Sequence, residues 1–498
     1  MKARIVVGLS LFLLALIPIS CEKEPEPIIP PEKEPEVIQL ESPDDLVEYD
    51  LKEMQSVSFK WSAVPNVNAY KIRISRSSSM TSPVDISAIK SPTQIDIKQF
   101  DTYLDNLGIE PGSTRKIYWT VIAWGKEDEY KQDVRSIKVT RLPEGPIVPY
   151  EQRIADPLTI KVAVLYEDPI MPGTNTYMHE VCRVGGNGSK WYDPTKQVVD
   201  FERYLEEASH GVVQYEIVKT VRAERLFSYY TEYSGEKYKY FTIETMRDSI
   251  YANGTPCPGL GSGVGYDYVG MLKYYGFDKM RDNGEIHEVW VYNHPGCGMY
   301  ESRLIGNGAF WLNSPGISTG APCKELLTVM FCNYERTVDL ALHSYGHRFE
   351  SIMTQVYGQW RTGKNKPALK SDLNNWELYA CHSSEYEQYE KGYAQVGVTH
   401  FPPNGQFDYD YGNRSVYVYT YADSWMDYPE MTMSNPRKVN CSEWKNDQQG
   451  WMMYFFSHMP HFKGLNEDIN DLHLNNWWYY VVDYNAAKKY EKQLQDGL

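Results

Sequence analysis

NYERTVDLALHSYGHRFESIMTQVYGQW, residues Asn333–Trp360, carries two periodicities at once. Val338, Leu342, Tyr345, Phe349, Ile352 and Val356 recur at the spacing of one helical face, which predicts a single long helix with an apolar stripe turned to a core. At about 100° per residue, Asp339, His343, His347 and Glu350 fall together on a different face. Histidines at i and i+4 can aim both imidazoles at one point, which is how a helix supplies two ligands to zinc. Gly346 costs about 1 kcal/mol relative to alanine inside a helix, so its presence implies the close approach of a strand or a substrate. The competing reading is a pair of histidines four apart by chance.

The sequence around this helix alternates strands and helices. TIKVAVLYED (Thr159–Asp168) and EVWVYNHPGCG (Glu288–Gly298) open as buried-type strands. DFERYLEEASHG (Asp200–Gly211), IETMRDSIYANG (Ile243–Gly254) and DYVGMLKYYGFDKM (Asp267–Met280) have helical spacing. The pattern predicts a large α/β domain over residues 157–498.

HSYGH on a helix that follows an α/β sheet resembles the active-site helix of zincin metallopeptidases, HExxH, and in particular the HExGH variants. The resemblance implies a zincin-like fold, zinc as cofactor, His343 and His347 as metal ligands, and hydrolysis of peptide bonds. It also implies a third ligand from downstream, for which His400 in THFPPNGQFDYDYGNRS (Thr399–Ser415) is the candidate. Ser344 departs from the pattern, standing where the family has the glutamate that activates water. General-base help is worth about 10²–10⁴ in rate, so a hydrolase needs another base. Glu350 is the nearest candidate in sequence for that catalytic role, although it can equally be a ligand or a partner of one.

Other clusters offer contacts. Asp408, Asp410 and Asn413 lie in a loop dense in turn formers, suited to turns or to Ca²⁺. In YADSWMDYP (Tyr421–Pro429), Trp425, Asp427 and Tyr428 place aromatics beside a carboxylate, as sugar-binding clefts do. With Tyr345 on the helix, they are the candidates for substrate binding. NHPGCGMYES (Asn293–Ser302) brings His294, Tyr300 and Glu301 to the end of a buried strand, where α/β proteins place functional loops. An ordinary turn is the alternative there.

The N-terminal third reads differently. Residues 1–20 have a basic start and an apolar run from Ile5 to Ile19, too short to span a bilayer comfortably, and read as a signal peptide. Ser20-Cys21 ends it in a pattern that resembles the lipobox of bacterial lipoproteins, with Pro18 as a departure. This makes Cys21 the expected lipidation site and the lipid the membrane anchor. Residues 21–39 are a Pro/Glu-rich tether. An acidic stretch after the lipidated cysteine also resembles the export signal of surface lipoproteins, which implies an outer-membrane, cell-surface location. Over residues 40–143, SVSFKWSAVPNVNAYKIRIS (Ser56–Ser75) and KIYWTVIAWG (Lys116–Gly125) alternate apolar and polar residues. Their spacing resembles a fibronectin type III or immunoglobulin-like β-sandwich. A Pro-rich linker occupies residues 144–156.

Composition narrows the partners. Lys+Arg total 50 against 66 Asp+Glu, a net charge of −16, and no basic block exists, which argues against nucleic acid. The chain holds 41 Tyr and 13 Trp against 15 Phe, amphipathic rings suited to wet contact surfaces and equally to half-buried positions. Beyond Cys21, seven cysteines without a CxxC pair exclude a cysteine zinc site of the usual spacing and leave disulfides open. The expectation is a multidomain surface lipoprotein, an all-β sandwich followed by a zincin-like α/β domain. Its function would be zinc-dependent hydrolysis of protein or glycoprotein. The alternative is a non-catalytic module that binds extracellular glycan or protein.

Overall fold

The computed structural model describes residues 36–65, 67, 69–126, 130–131, 133–142, 150–184, 188–233, 235–253, 263–431, 433, 436–466 and 471–497. The expected signal peptide, Cys21, most of the tether and the first part of the linker lie outside them. The protein divides into two compact units. One comprises the described residues up to Glu48 with Ser58–Gln94 and Lys116–Lys138, and the other Tyr49–Val57, Ile95–Arg115 and Val139–Leu498.

In the first unit, the alternation seen in sequence becomes antiparallel pairing. Tyr70–Ser75 pairs with Val84–Ala88 on one side and with Thr114–Ala123 on the other. Leu40–Ser42 pairs with Ser56–Trp61 in a separate sheet. Phe59 and Trp119 meet edge to face with centroids 5.0 Å apart, and Trp61 does the same with Tyr70 at 5.2 Å. The segment expected to be all-β also holds a helix, Ile97–Asn106, which belongs to the second unit. Asp96 caps it through the Lys98 N–H, and Ile97, Phe100 and Leu104 form its buried stripe.

In the second unit a five-stranded sheet carries the architecture. Its elements are β1 (Leu158–Tyr166), α1 (Pro194–Ala208), β2 (Val213–Arg222), β3 (Glu288–Asn293), β4 (Ser302–Ile305), β5 (Leu327–Asn333), α2 (Asp339–Tyr357), α3 (Gln448–Ser457) and α4 (Trp477–Val482). The strand order is β2-β1-β3-β5-β4. The first four are parallel and β4 runs antiparallel along the edge. Every residue of β3 is buried, the mark of a central parallel strand covered on both faces.

The helix read from Asn333–Trp360 is shorter at its start than its periodicity suggests. Asn333 still pairs with Asn293 in the sheet, and α2 begins only at Asp339. Gly358, at φ 73°, ends it with the left-handed turn that costs glycine no Cβ clash. Leu342, Phe349, Ile352 and Met353 are fully or almost fully buried in one large core with Trp290 and Met330. Each such burial contributes about 1.5–3 kcal/mol. Phe349 packs against Trp376, Phe455 and Trp477.

A charged pair crosses this core. Arg348 of α2 donates to Glu288 of β3 at 2.5 Å and to the Val481 carbonyl at 2.7 Å, with both side chains fully buried. Trp290 Nε1 donates to the same carboxylate at 3.0 Å. The six described cysteines after Cys21, namely Cys182, Cys297, Cys323, Cys332, Cys381 and Cys441, are buried free thiols. Among the described residues no helix is long and apolar enough to cross a membrane.

The buried pair fixes α2 on the sheet, and its loss should be felt. Arg348→Met leaves Glu288 charged in the core and should cost about 3–5 kcal/mol, read as an earlier urea unfolding midpoint. The double variant Glu288→Leu/Arg348→Met should recover much of that loss. A double variant no more stable than the single one would show that the pair does more than neutralise itself.

Candidate metal centre

The two faces of α2 have separate tasks. One packs into the core. The other carries His343 and His347, a turn apart, and meets the segment that holds His400. That segment is tied down through Thr399, whose N–H donates to Glu350 Oε1 at 2.7 Å. The Thr399 carbonyl accepts from Tyr411 Oη at 3.0 Å and from Trp451 Nε1 at 2.9 Å. The approach is close enough to explain Gly346. A Cβ there would lie 2.5 Å from Thr399 Oγ1 and 3.0 Å from its Cγ2.

The result is a convergence of three nitrogens. His343 Nε2 lies 3.2 Å from His347 Nε2 and 3.3 Å from His400 Nε2, and the last two are 3.0 Å apart. Among the described residues these three form a group able to hold a metal ion. Zn–N bonds of about 2.0–2.1 Å in a tetrahedron set neighbouring ligand nitrogens roughly 3.3–3.4 Å apart. The observed spacings match that edge to within a few tenths of an ångström.

The outer contacts decide which nitrogen faces inward. His347 Nδ1 lies 2.8 Å from Glu350 Oε2, and His400 Nδ1 lies 2.8 Å from Asp408 Oδ1. A carboxylate at Nδ1 accepts a proton from it, so Nε2 is left with its lone pair. Two lone pairs, with His343 Nε2 beside them, therefore aim at one point, and only a proton or a cation can stand there. Burial, then the neighbouring His347 and His400, push the His343 pKa down to about 3. Burial also disfavours the His347 cation, but Glu350, Glu301 and Asp408 outweigh it and raise its pKa above the usual 6.5.

Tyr409 covers one flank. Its ring stacks on His343 at 5.7 Å and leans on His400 at 4.2 Å, with half of its surface exposed. The residue holds a left-handed φ of 62°, an uncommon backbone for a tyrosine. Beside His347 stands Glu301, directly before β4, with Oε2 4.0 Å from His347 Nε2.

The sequence candidates scatter around this centre. His343, His347 and His400 are brought together. Both Glu350 oxygens are engaged behind His347, by its Nδ1 and by Thr399 N–H, which gives Glu350 an orienting position instead of the base position expected for it. Asp339 is held at the helix start by Thr337 Oγ1 at 2.9 Å. Of the substrate-binding candidates, Tyr345 is fully buried, with its hydroxyl 3.1 Å from that of Tyr215. Trp425 and Tyr428 are core residues stacked on one another, and Trp425 Nε1 donates to Gln395 at 3.1 Å. None of these three presents a surface to a ligand. Asp427 is exposed and pairs with Arg153 at 2.9 Å. Asp410 accepts from Gln406 N–H and from Asn413, closing its loop as a turn. His294 is buried, and burial pushes its pKa down to about 4. Asp408 and Tyr409 are legible in sequence only as loop residues, and Asn313, which donates to Glu301, carries no signal there.

Comparison with known proteins bears on the other end of the chain. Residues 23–122 match the family described as SusE outer membrane protein. The match agrees with the outer-membrane localisation expected from the N-terminal sequence, and it ends well before the histidine centre. No curated protein matches the chain. Among solved structures, the periplasmic chaperone SfaE is 17% identical over 23% of this chain and 62% of its own, with a TM-score of 0.13. The pectate lyase Pel3 from Pectobacterium carotovorum is 11% identical over 28% of this chain and 37% of its own, with a TM-score of 0.12. At these TM-scores neither is a guide to the fold.

Proposed function

We propose that this protein is an outer-membrane lipoprotein whose second unit is a zinc-dependent hydrolase acting on protein or glycoprotein. The observation that carries the reading is the meeting of His343, His347 and His400 Nε2 within 3.3 Å of one another. Three protein nitrogens with an open fourth position are the donor set of catalytic zinc, whereas structural sites close with four. The helix-borne pair with a third histidine downstream resembles the zincin arrangement, as does its place after an α/β sheet.

Zinc bound there would supply a Lewis acid that polarises a carbonyl and acidifies water. The rest is done by the chain. Glu350 and Asp408 orient His347 and His400 by their Nδ1 protons. Glu350 also pins Thr399, so one carboxylate sets two of the ligands. A second reading, a surface module that binds glycan or protein without catalysis, draws on the N-terminal family match. It also draws on the Tyr393, Tyr419 and Tyr421 stack, in which Tyr419 is exposed. It predicts binding that survives loss of the histidines.

The purified protein should contain one zinc per chain by elemental analysis, and His400→Ala should remove it. Saturating zinc at 100–1,000 times its dissociation constant should add about 2.7–4.1 kcal/mol to stability, seen as a rise in melting temperature absent from His400→Ala. The raised pKa of His347 gives the shift a sign in pH. Protons compete for its Nε2 below that pKa, so the zinc-dependent rise should be full in alkaline solution and shrink as pH falls through that raised pKa, which lies above the usual 6.5. A pH-independent rise, or one retained by His400→Ala, would place the zinc elsewhere.

Glu350→Gln separates orienting from ligating. It should weaken zinc affinity by about 10–100-fold while leaving the stoichiometry at saturating zinc unchanged. Complete loss of the metal would make Glu350 a ligand.

Anchoring has its own test. Cys21→Ala should leave the processed protein in the soluble fraction after cell breakage. Retention of that variant in the outer membrane would remove the lipid-anchor reading.

A further inference from the structure

Beside His347 lies a carboxylate that orients none of the three histidines. Glu301 sits at the end of the loop before β4, with its backbone carbonyl accepting from Phe331 N–H of β5 at 3.0 Å. Its side chain is 37% exposed, and Oε2 is 4.0 Å from His347 Nε2. That is too far for a vertex of the tetrahedron, whose edges here measure 3.0–3.3 Å. It is a suitable distance for an oxygen that hydrogen-bonds to whatever occupies the open vertex. Asn313 holds the carboxylate by donating from Nδ2 to Oε2, and Asn313 N–H donates to Ser351 Oγ of α2 at 3.2 Å. The carboxylate is therefore indexed to the same helix that carries His343 and His347. Ser344, the residue in the place of a motif glutamate, is buried and has no carboxylate.

Resting on the hydrolase reading, we propose that Glu301 is the catalytic base and acid of this centre. It reaches the reacting water from the loop before the edge strand instead of from the helix. Its carboxylate takes a proton from a water molecule as the water oxygen bonds to the substrate carbonyl carbon. It then returns that proton to the amine nitrogen as the carbon–nitrogen bond breaks. The acid and amine products balance one peptide bond and one water. Asn313 is a positioning residue in this scheme, since it touches Glu301 and not the substrate.

The test uses the full chain, purified in detergent and loaded with zinc. Glu301→Gln should keep one zinc per chain with affinity within about threefold of wild type. It should lower kcat for a fluorescent casein by about 10²–10⁴ with KM little changed, and Glu301→Asp should restore part of it. A second arm does not depend on the substrate. In cobalt-substituted protein, Glu301→Gln should weaken acetohydroxamic acid, which gives up a proton as it binds, by at least tenfold. Azide, which has none to give, should bind as well as before or better. Loss of the metal in Glu301→Gln, or unchanged hydroxamate affinity, overturns the inference. A wild type that binds zinc and hydroxamate but cleaves no casein overturns the peptidase reading and leaves Glu301 to be decided by the hydroxamate arm. A wild type that takes up no zinc overturns both.

Discussion

Three imidazole nitrogens held 3.0–3.3 Å apart, two of them with lone pairs fixed inward, are the constraint around which the second unit is arranged. Their lone pairs repel unless a proton or a cation stands between them. The neighbouring structure resists their separation. The missing Cβ of Gly346 lets Thr399 lie against α2, and Thr399 is held by Glu350, Tyr411 and Trp451 at once. Glu350 couples the two halves of the site, because the oxygen that does not orient His347 anchors the segment of His400.

Such a cluster needs a rigid mount, and α2 is buried on most of its circumference. Leu342, Phe349 and Ile352 join the aromatic core, and Arg348 is locked to Glu288 and Val481. A helix fixed by packing and by a buried ion pair keeps ligand positions to within fractions of an ångström, which metal chemistry demands. The burial of the polar face is offset by contacts that are nearly all charge-assisted. An exception is His343, whose Nδ1 has no hydrogen-bond partner among the described residues, so packing and the stacked Tyr409 ring orient it instead.

The parts of the structure legible in the sequence are those that periodicity specifies. The apolar stripe of α2 and the face shared by His343 and His347 need only 3.6 residues per turn, and the runs of β1 and β3 need only continuous hydrophobicity. Sequence and structure part where tertiary contact decides. Periodicity alone starts α2 too early, because Asn333–Val338 has a composition like that of the helix, while Asn333 is engaged in the sheet. The helix Ile97–Asn106 is hidden inside a β pattern, although Asp96 and the Ile97, Phe100, Leu104 spacing mark it. Trp425 and Tyr428 resemble a sugar platform because aromatics beside carboxylates have the same composition in a cleft and in a core. Glu350 lies on the face that the spacing assigns to it. Whether it meets Nδ1 or Nε2 of His347 depends on rotamers that no spacing specifies.

The charges around the centre are those that a cation would balance. Glu350, Asp408 and Glu301 surround three histidines that are neutral when they ligate. A divalent ion among them would offset part of that negative charge. The histidines respond to that imbalance unequally. His347, facing the carboxylates, has its pKa raised, and His343, buried against the other two imidazoles, has its pKa lowered to about 3. A metal at the point where the three nitrogens meet would compete with a proton on His347, and an acidic surround that favours the proton would favour a doubly charged ion more strongly. Glu350 and Asp408 therefore orient His347 and His400, while Glu301 keeps a carboxylate oxygen 4.0 Å from His347 Nε2.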